Sequence, residues 1–326
     1  MSTTKIITII CWIVSALVLI GLVIWFLTGS ILGSWGGNWG GIRFPGININ
    51  NFENLSGPFN SQGTQTVDMT NLHSLNINWV SGEITIVPHD GNEIHVTEFA
   101  QRSLRDNETL RMNTDGGTLT IRFRERDNNV GNMPRKNLEV LVPRELSENL
   151  TRLSVNTISG GISVKDFEAS TVNLSSVSAE VEITGIVSQS IDINTTSGAI
   201  TASSIRAGRL DTDSVSGATN ISEALVTTLK VNTISGRAST TGEFDDVDVS
   251  TVSGGAMIRS SAVPGKMSVS TVSGAIDVHI PNTGELTVSH SAVSGRFSSE
   301  IPVIMQNGGA YKFSSVSGNT NIYVLG

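Results

Sequence analysis

Five histidines, His73, His89, His95, His279 and His290, are the first places to look for metal or acid–base chemistry, and none stands in an HExxH pair. His89, Asp90, Glu93 and His95 are close enough in sequence to ligate a divalent ion across a strand turn, although the same run reads as a polar turn before an exposed strand face. Asp192 and Asp211 stand in the same outward column of successive repeats, with Asn194 and Asp213 two residues further on. Four oxygen-bearing side chains at that spacing are a candidate calcium site, although stacked Asp and Asn on a sheet face in contact with water are far commoner than a site. Asp245, Asp246 and Asp248 read as solvated charges. Arg122, Arg124 and Arg126 alternate along one strand face and could meet an anionic polymer, but Glu125 and Asp127 lie beside them. Sugar-cleaving β-helices need paired carboxylates, or calcium with a basic residue, and aromatic platforms. Between residues 168 and 296 the only aromatic is Phe244. No residue set points to a catalytic centre or a cofactor, and Cys11 as the lone cysteine excludes an intramolecular disulfide and a Cys-based cluster.

Serine is the nucleophile type that recurs most regularly, at Ser159, Ser178, Ser197, Ser216, Ser235, Ser253, Ser273, Ser294 and Ser317. A catalytic serine stands once, beside a base. These nine are each followed by a small residue: Gly160, Ala179, Gly198, Gly217, Gly236, Gly254, Gly274, Gly295 and Gly318. The spacing is 19 residues four times, then 18, 20, 21 and 23. The Ser-Gly pairs therefore read as structural corners, the hydroxyl bonding a local or neighbouring-coil backbone group and the glycine supplying either a positive φ or a close approach. Ala179 breaks the column, so that corner is strained or the position needs small size above all.

The elements that hold these corners follow from alternation. Seven and five residues before the glycine stand Leu153 and Val155, Val172 and Leu174, Ile191 and Ile193, Leu210 and Thr212, Leu229 and Val231. Three before it the column is small, with Thr157, Ser176, Thr195, Ser214 and Thr233. After it, apolar parity resumes at Ile162 and Val164, Val181 and Ile183. Each repeat is strand, corner, strand, corner. A unit this short cannot bury its own inner face and has no room for a crossover helix, but stacking units about 4.8 Å apart pairs every backbone group. The expected fold is all-β, a parallel β-solenoid (β-helix) of about 19-residue coils; an up-and-down antiparallel barrel explains the alternation but not the constant spacing and corner. Residues 150–326 are the regular solenoid. Residues 67–149 carry the register in degenerate form and cap it, with Leu75, Ile77, Trp79, Ser81, Gly82, Ile84 and Ile86 in one coil and Leu110, Met112, Thr114, Gly117, Leu119 and Ile121 in another, interrupted at 100–108 and 127–136.

Before the solenoid, Ile6 to Leu27 runs without a charge for the length a bilayer-crossing helix needs. It is too long for a cleaved signal peptide, and Cys11 is not placed for lipidation. Residues 1–28 are expected to be a short N-terminus and one transmembrane helix acting as an uncleaved anchor, and 29–66, rich in Gly and Asn with only Arg43 and Glu53 charged, a flexible stalk. Lys5 precedes the span and Arg43 is the first charge after it, which puts the N-terminus in the cytoplasm and the rest outside. Trp12, Trp25 and Trp35 are candidate interfacial aromatics. The net charge of −8, without a basic segment, argues against nucleic acid. With 15% charged and 5% aromatic residues but 38% hydrophobic, the chain is neither an ordinary enzyme core nor disordered. The chain stops just after the strand-like Asn321-Ile322-Tyr323-Val324, so 308–326 is expected to be an open terminal coil able to pair end to end with a second copy or a partner strand.

The run Leu138-Glu139-Val140-Leu141-Val142-Pro143, followed by Leu153 to Ile162 and the Ser-Gly coils, resembles the "putative adhesin" family of membrane-anchored, LiaG-like β-strand-repeat proteins over roughly residues 67–326. The resemblance implies a bacterial envelope protein, sometimes associated with envelope stress, in a domain of unknown function with no catalytic residues to carry over. Three functions fit: a non-enzymatic adhesin-like or structural envelope protein binding an envelope polymer or membrane protein, a polysaccharide-acting solenoid enzyme, or a stress-signalling component that binds a membrane partner.

Overall fold

The computed structural model describes residues 57–124 and 133–325. The expected membrane span 6–27, the tryptophans around it, most of the stalk, and Glu125, Arg126 and Asp127 lie outside the described residues. The fold is an all-β parallel solenoid whose coils advance by about 19 residues. Val172 pairs with Leu153 on one side and Ile191 on the other, and Leu174 lies likewise between Val155 and Ile193. After the corner, Val181 and Ile183 lie between Ile162 and Val164 below and Ile200 and Ala202 above. Every one of these side chains is fully or almost fully buried. Burial of each large one contributes about 1.5–3 kcal/mol, which the column repeats from coil to coil. Where the spacing drops to 18, the ladder slips between Ile221 and Ala224 and the coil then resumes its register.

The corners are built differently from the expectation in one respect. Ser178, Ser197, Ser216 and Ser235 point into solvent, so their hydroxyls do not close the turn. Their backbone N–H groups do, donating one coil down to Ile158, Val177, Thr196 and Val215, each at 2.9 Å. In the Gly198 and Gly254 coils the hydroxyl that serves the corner sits in the small inward column, whereas those of Thr157, Ser176 and Ser214 in the same column are buried without a partner. Thr195 Oγ1 accepts from Gly198 N at 2.9 Å, and Thr251 Oγ1 lies 2.7 Å from the Gly254 carbonyl oxygen. The glycines are there for close approach. A Cβ at Gly198, Gly217, Gly236, Gly254 or Gly274 would lie 1.7–2.1 Å from the carbonyl oxygen of the residue one coil below.

The cap departs further. Asn60–Asp68, which begins in the expected stalk and ends just inside the expected cap, is a strand antiparallel to Glu93–Ala100. It is mostly exposed, so backbone pairing with a sheet edge orders it rather than apolar burial. Arg111–Asp115 and Thr118–Arg122 form an antiparallel hairpin turning at Gly116 and Gly117, both at positive φ. Only its second strand joins the solenoid, Leu119 and Ile121 pairing with Leu75 and Ile77. Leu110, Met112 and Thr114 are therefore not a coil strand: the alternation was real, but the glycines reverse the chain instead of turning a corner.

The far end is also rearranged. Lys266–Ser273 pairs with Tyr311–Ser317, which pairs on its other side with Leu286–Ser294. Thr320–Val324 likewise lies between Ile276–Ile280 and Phe297–Ser299. The Gly318 coil is thus inserted beneath the Gly295 coil, and the expected open edge at 308–326 is covered on both sides. The terminal edge is 286–299.

Candidate interaction surface

Strand alternation divides the long strand of each coil between core and solvent, and stacking turns each outward position into a column. Six residues before the corner glycine the column reads Asn173, Asp192, Asp211, Lys230, Asp248 and Ser268, paired in register. Four before it come Ser175, Asn194, Asp213, Asn232, Ser250 and Ser270. Two before it the residues are apolar except for the half-buried Thr196 between Val177 and Val215. Val177 and Val316 are 40% exposed and Val293 57%, while Val215, Ile234, Val252 and Val272 are half-buried. With neighbours about 4.8 Å apart, these side chains shield one another's flanks and form a ridge along the corner, edged by the exposed serines. Beside the ridge, Gly255 and Ala275 leave a shallow notch of about 290 Å³ between Arg237 and Asp277.

The structure does bring Asp192, Asn194, Asp211 and Asp213 together as neighbours in two adjacent columns. It does not converge them on a cation. Arg209 holds one Asp211 oxygen at 2.6 Å, Asn232 donates to Asp213 at 2.8 Å, and Ser190 donates to Asp192 at 3.4 Å. Among the described residues no group of three or more His, Cys, Asp or Glu side chains is placed to hold a metal ion. Crowding still shows in the acidities: burial, and then the neighbouring Asp211 charge, raises Asp192 above the usual carboxylate range. Burial is likewise the main cause of the rise at Asp213 and Asp248. The other candidates disperse. His89 and His95 rings lie 4.9 Å apart, but His89 Nε2 bonds the Glu93 backbone carbonyl and Asp90 pairs with Arg144 at 2.7 Å. Of the arginine series, Arg122 is exposed and Arg124 half-buried.

One ionisable cluster escaped the sequence reading. Lys136 is fully buried beneath the cap, its ammonium 2.9 Å from Glu98 Oε2 and 2.6 Å from the Glu108 carbonyl, with the Phe123 carbonyl as a third acceptor. The Phe123 and Trp79 rings lie 4.2 and 5.0 Å from it, a cation–π cage. Burial lowers the lysine to about 8 against the opposing pull of Glu98. Glu108 is in turn clamped by Arg102, which brings it down to about 2. With all three ammonium donors satisfied and water excluded, this is a structural clamp on the excursions. Its signal was available: Lys136 shares inward parity with Leu138 and Val140, and Glu98 with Ile94 and Val96.

The family described as Toastrack DUF4097 matches residues 72–322. No curated protein matches the chain. Similar solved structures include one described as a putative adhesin from Bacteroides fragilis, 12% identical, covering 80% of this chain and 96% of that one with a TM-score of 0.43. One described as a putative lipid binding protein from Parabacteroides distasonis is 15% identical, with 79% and 96% covered and a TM-score of 0.44. A third, described as a putative cell adhesion protein from Clostridium sporogenes, is 10% identical, with 82% and 100% covered and a TM-score of 0.22.

Proposed function

The chain belongs to the Toastrack DUF4097 family, and from that premise we propose that it is a non-enzymatic, adhesin-like envelope protein. In this reading the 6–27 segment anchors it in the cytoplasmic membrane with the solenoid outside. The solenoid presents its ridge and polar columns to an envelope polymer or a membrane-protein partner. The observation that carries the proposal is repetition. The outward columns offer similar small polar and apolar groups coil after coil, from Val177 to Val316, instead of gathering unlike groups at one point. Many weak equivalent contacts in a row suit a ligand that is itself repetitive or extended, and avidity then replaces a deep pocket.

The test is retention of the purified protein on immobilised cell-wall and capsule polysaccharides, with soluble product assayed in parallel. Retention without product is expected, together with at least a severalfold loss in an Ile234→Ser/Val252→Ser/Val272→Ser variant of unchanged melting temperature. Release of product would replace the proposal with a polysaccharide-acting enzyme. Protease added to intact spheroplasts is expected to remove the solenoid, and full protection would reverse the orientation.

A further inference from the structure

The two ends of the stack differ. At the N-terminal end the outermost strands on the two faces are Arg111–Asp115 and Asn60–Asp68, antiparallel to their neighbours, polar and largely exposed. At the C-terminal end they are Leu286–Ser294 and Phe297–Ser299. Among the described residues, the first pairs only with Val303–Met305 and Tyr311–Ser317, and the second only with Thr320–Val324. The carbonyls of Val288 and Ser294 point toward that inner coil, accepting from Gln306 N and Gly318 N. By alternation, the backbone groups of Ser289, Ser291 and Val293 point away from it. No proline interrupts this edge and Ser291 to Arg296 is exposed throughout, so it lacks the usual guards against pairing. The inward columns are cut open here as well. Ala292 is exposed, and His290 and Phe297, with rings 5.0 Å apart, are only half-buried.

We propose that this end is a self-association surface, through which two copies of the chain pair tail to tail about a twofold axis. A twofold axis across the end of a parallel stack sets each edge strand antiparallel to its own counterpart, which is an isologous contact. The occupant follows from complementarity. With Ser298 on the axis, Arg296 lies opposite Glu300 of the second copy, and Glu300 opposite its Arg296; both residues are exposed. The His290–Phe297 contact shows that these two strands face each other across the core, and because they run in opposite directions an axis at Ser298 passes near Ser289 on the other face. There Ser289, Ser291 and Ala292 are small enough for close approach, and the two open cores cover each other. Head-to-tail stacking finds no such match, because the opposite end presents polar antiparallel strands.

The test is sedimentation velocity of the full chain in non-ionic detergent over a concentration series. The wild type is expected to shift from monomer to dimer with concentration. Ala292→Lys, exposed in the monomer and covered in the dimer, is expected to weaken the dimer about tenfold or more without changing the melting temperature. Ser291→Pro removes an outward N–H and is expected to act in the same direction. A wild type that stays monomeric at every concentration, or a dimer that Ala292→Lys leaves intact, overturns the proposal.

Discussion

At Gly236 the chain passes so close to the coil below that a methyl group would lie 2.0 Å from the Gly217 carbonyl oxygen, while the neighbouring Ser235 hydroxyl faces water. The two halves of one repeated pair therefore differ in energetic weight. Gly236→Ala is expected to destabilise by about 1–3 kcal/mol, the range of an overpacked site. Ser235→Ala is expected to stay within about 0.5 kcal/mol, both read by chemical denaturation. Thr212 gives the opposite sign. It is fully buried between Ile193 and Val231, and its hydroxyl has no partner. Thr212→Val keeps the shape and removes an unsatisfied polar atom, so the melting temperature should rise. A fall would mean that the hydroxyl is satisfied in solution.

Among the elements, the cap strands depend on charges rather than columns. Removing the Lys136 ammonium leaves Glu98 buried without its partner, and Lys136→Met is expected to cost about 3–5 kcal/mol. Adding Glu98→Gln should recover part of this, since the amide still accepts from Leu110 N. The pH dependence has a definite sign. Because the folded lysine titrates near 8 and the unfolded one near 10.5, the unfolded chain binds more protons in that window. Stability should therefore rise from pH 8 to 10.5 in the wild type relative to Lys136→Met. Glu108 acts at the other end of the scale: its contribution is present above pH 4.5 and lost as the pH falls toward 2. The Asn60–Asp68 strand makes a separate prediction. Deleting 57–68 uncovers the edge of Glu93–Ala100, and light scattering should then detect aggregation that the longer chain resists.

At the scale of the whole molecule, stability in a stack is the sum of interfaces between neighbours, so the order of the coils matters. In a sequential stack, removing the last coil loses one interface. Here the Gly318 coil is flanked on both faces, by the Gly274 and Gly295 coils. Truncation before residue 308 should remove two interfaces and release 281–307 from the stack. Limited proteolysis is expected to cut first within that segment, and resistance there would show that the Gly295 coil can re-pair with the Gly274 coil.

The sequence by itself determined the coil: the apolar columns, the small corner and the spacing are properties of residues two apart and about 19 apart. Parallel stacking followed because a unit of that length has no other way to satisfy its backbone. Tertiary structure decided whatever depends on which surface covers which. Alternation alone cannot tell a corner from a hairpin, so the reversal at Gly116–Gly117 had to be seen. It cannot tell which hydroxyl of a corner faces inward, so Ser197 and Thr195 exchanged roles. At the far end the inward columns of two coils compete for one position: His290 and Ala292 in one, Phe313 and Ser315 in the other. Phe313 and Ser315 lie inside the stack and the other pair at its edge. Burying a phenyl ring between two coils is favourable, whereas an imidazole, whose Nε2 already lacks a partner at the half-buried edge, would lose its remaining water there, a difference that acts only when both strands are candidates for the same neighbour.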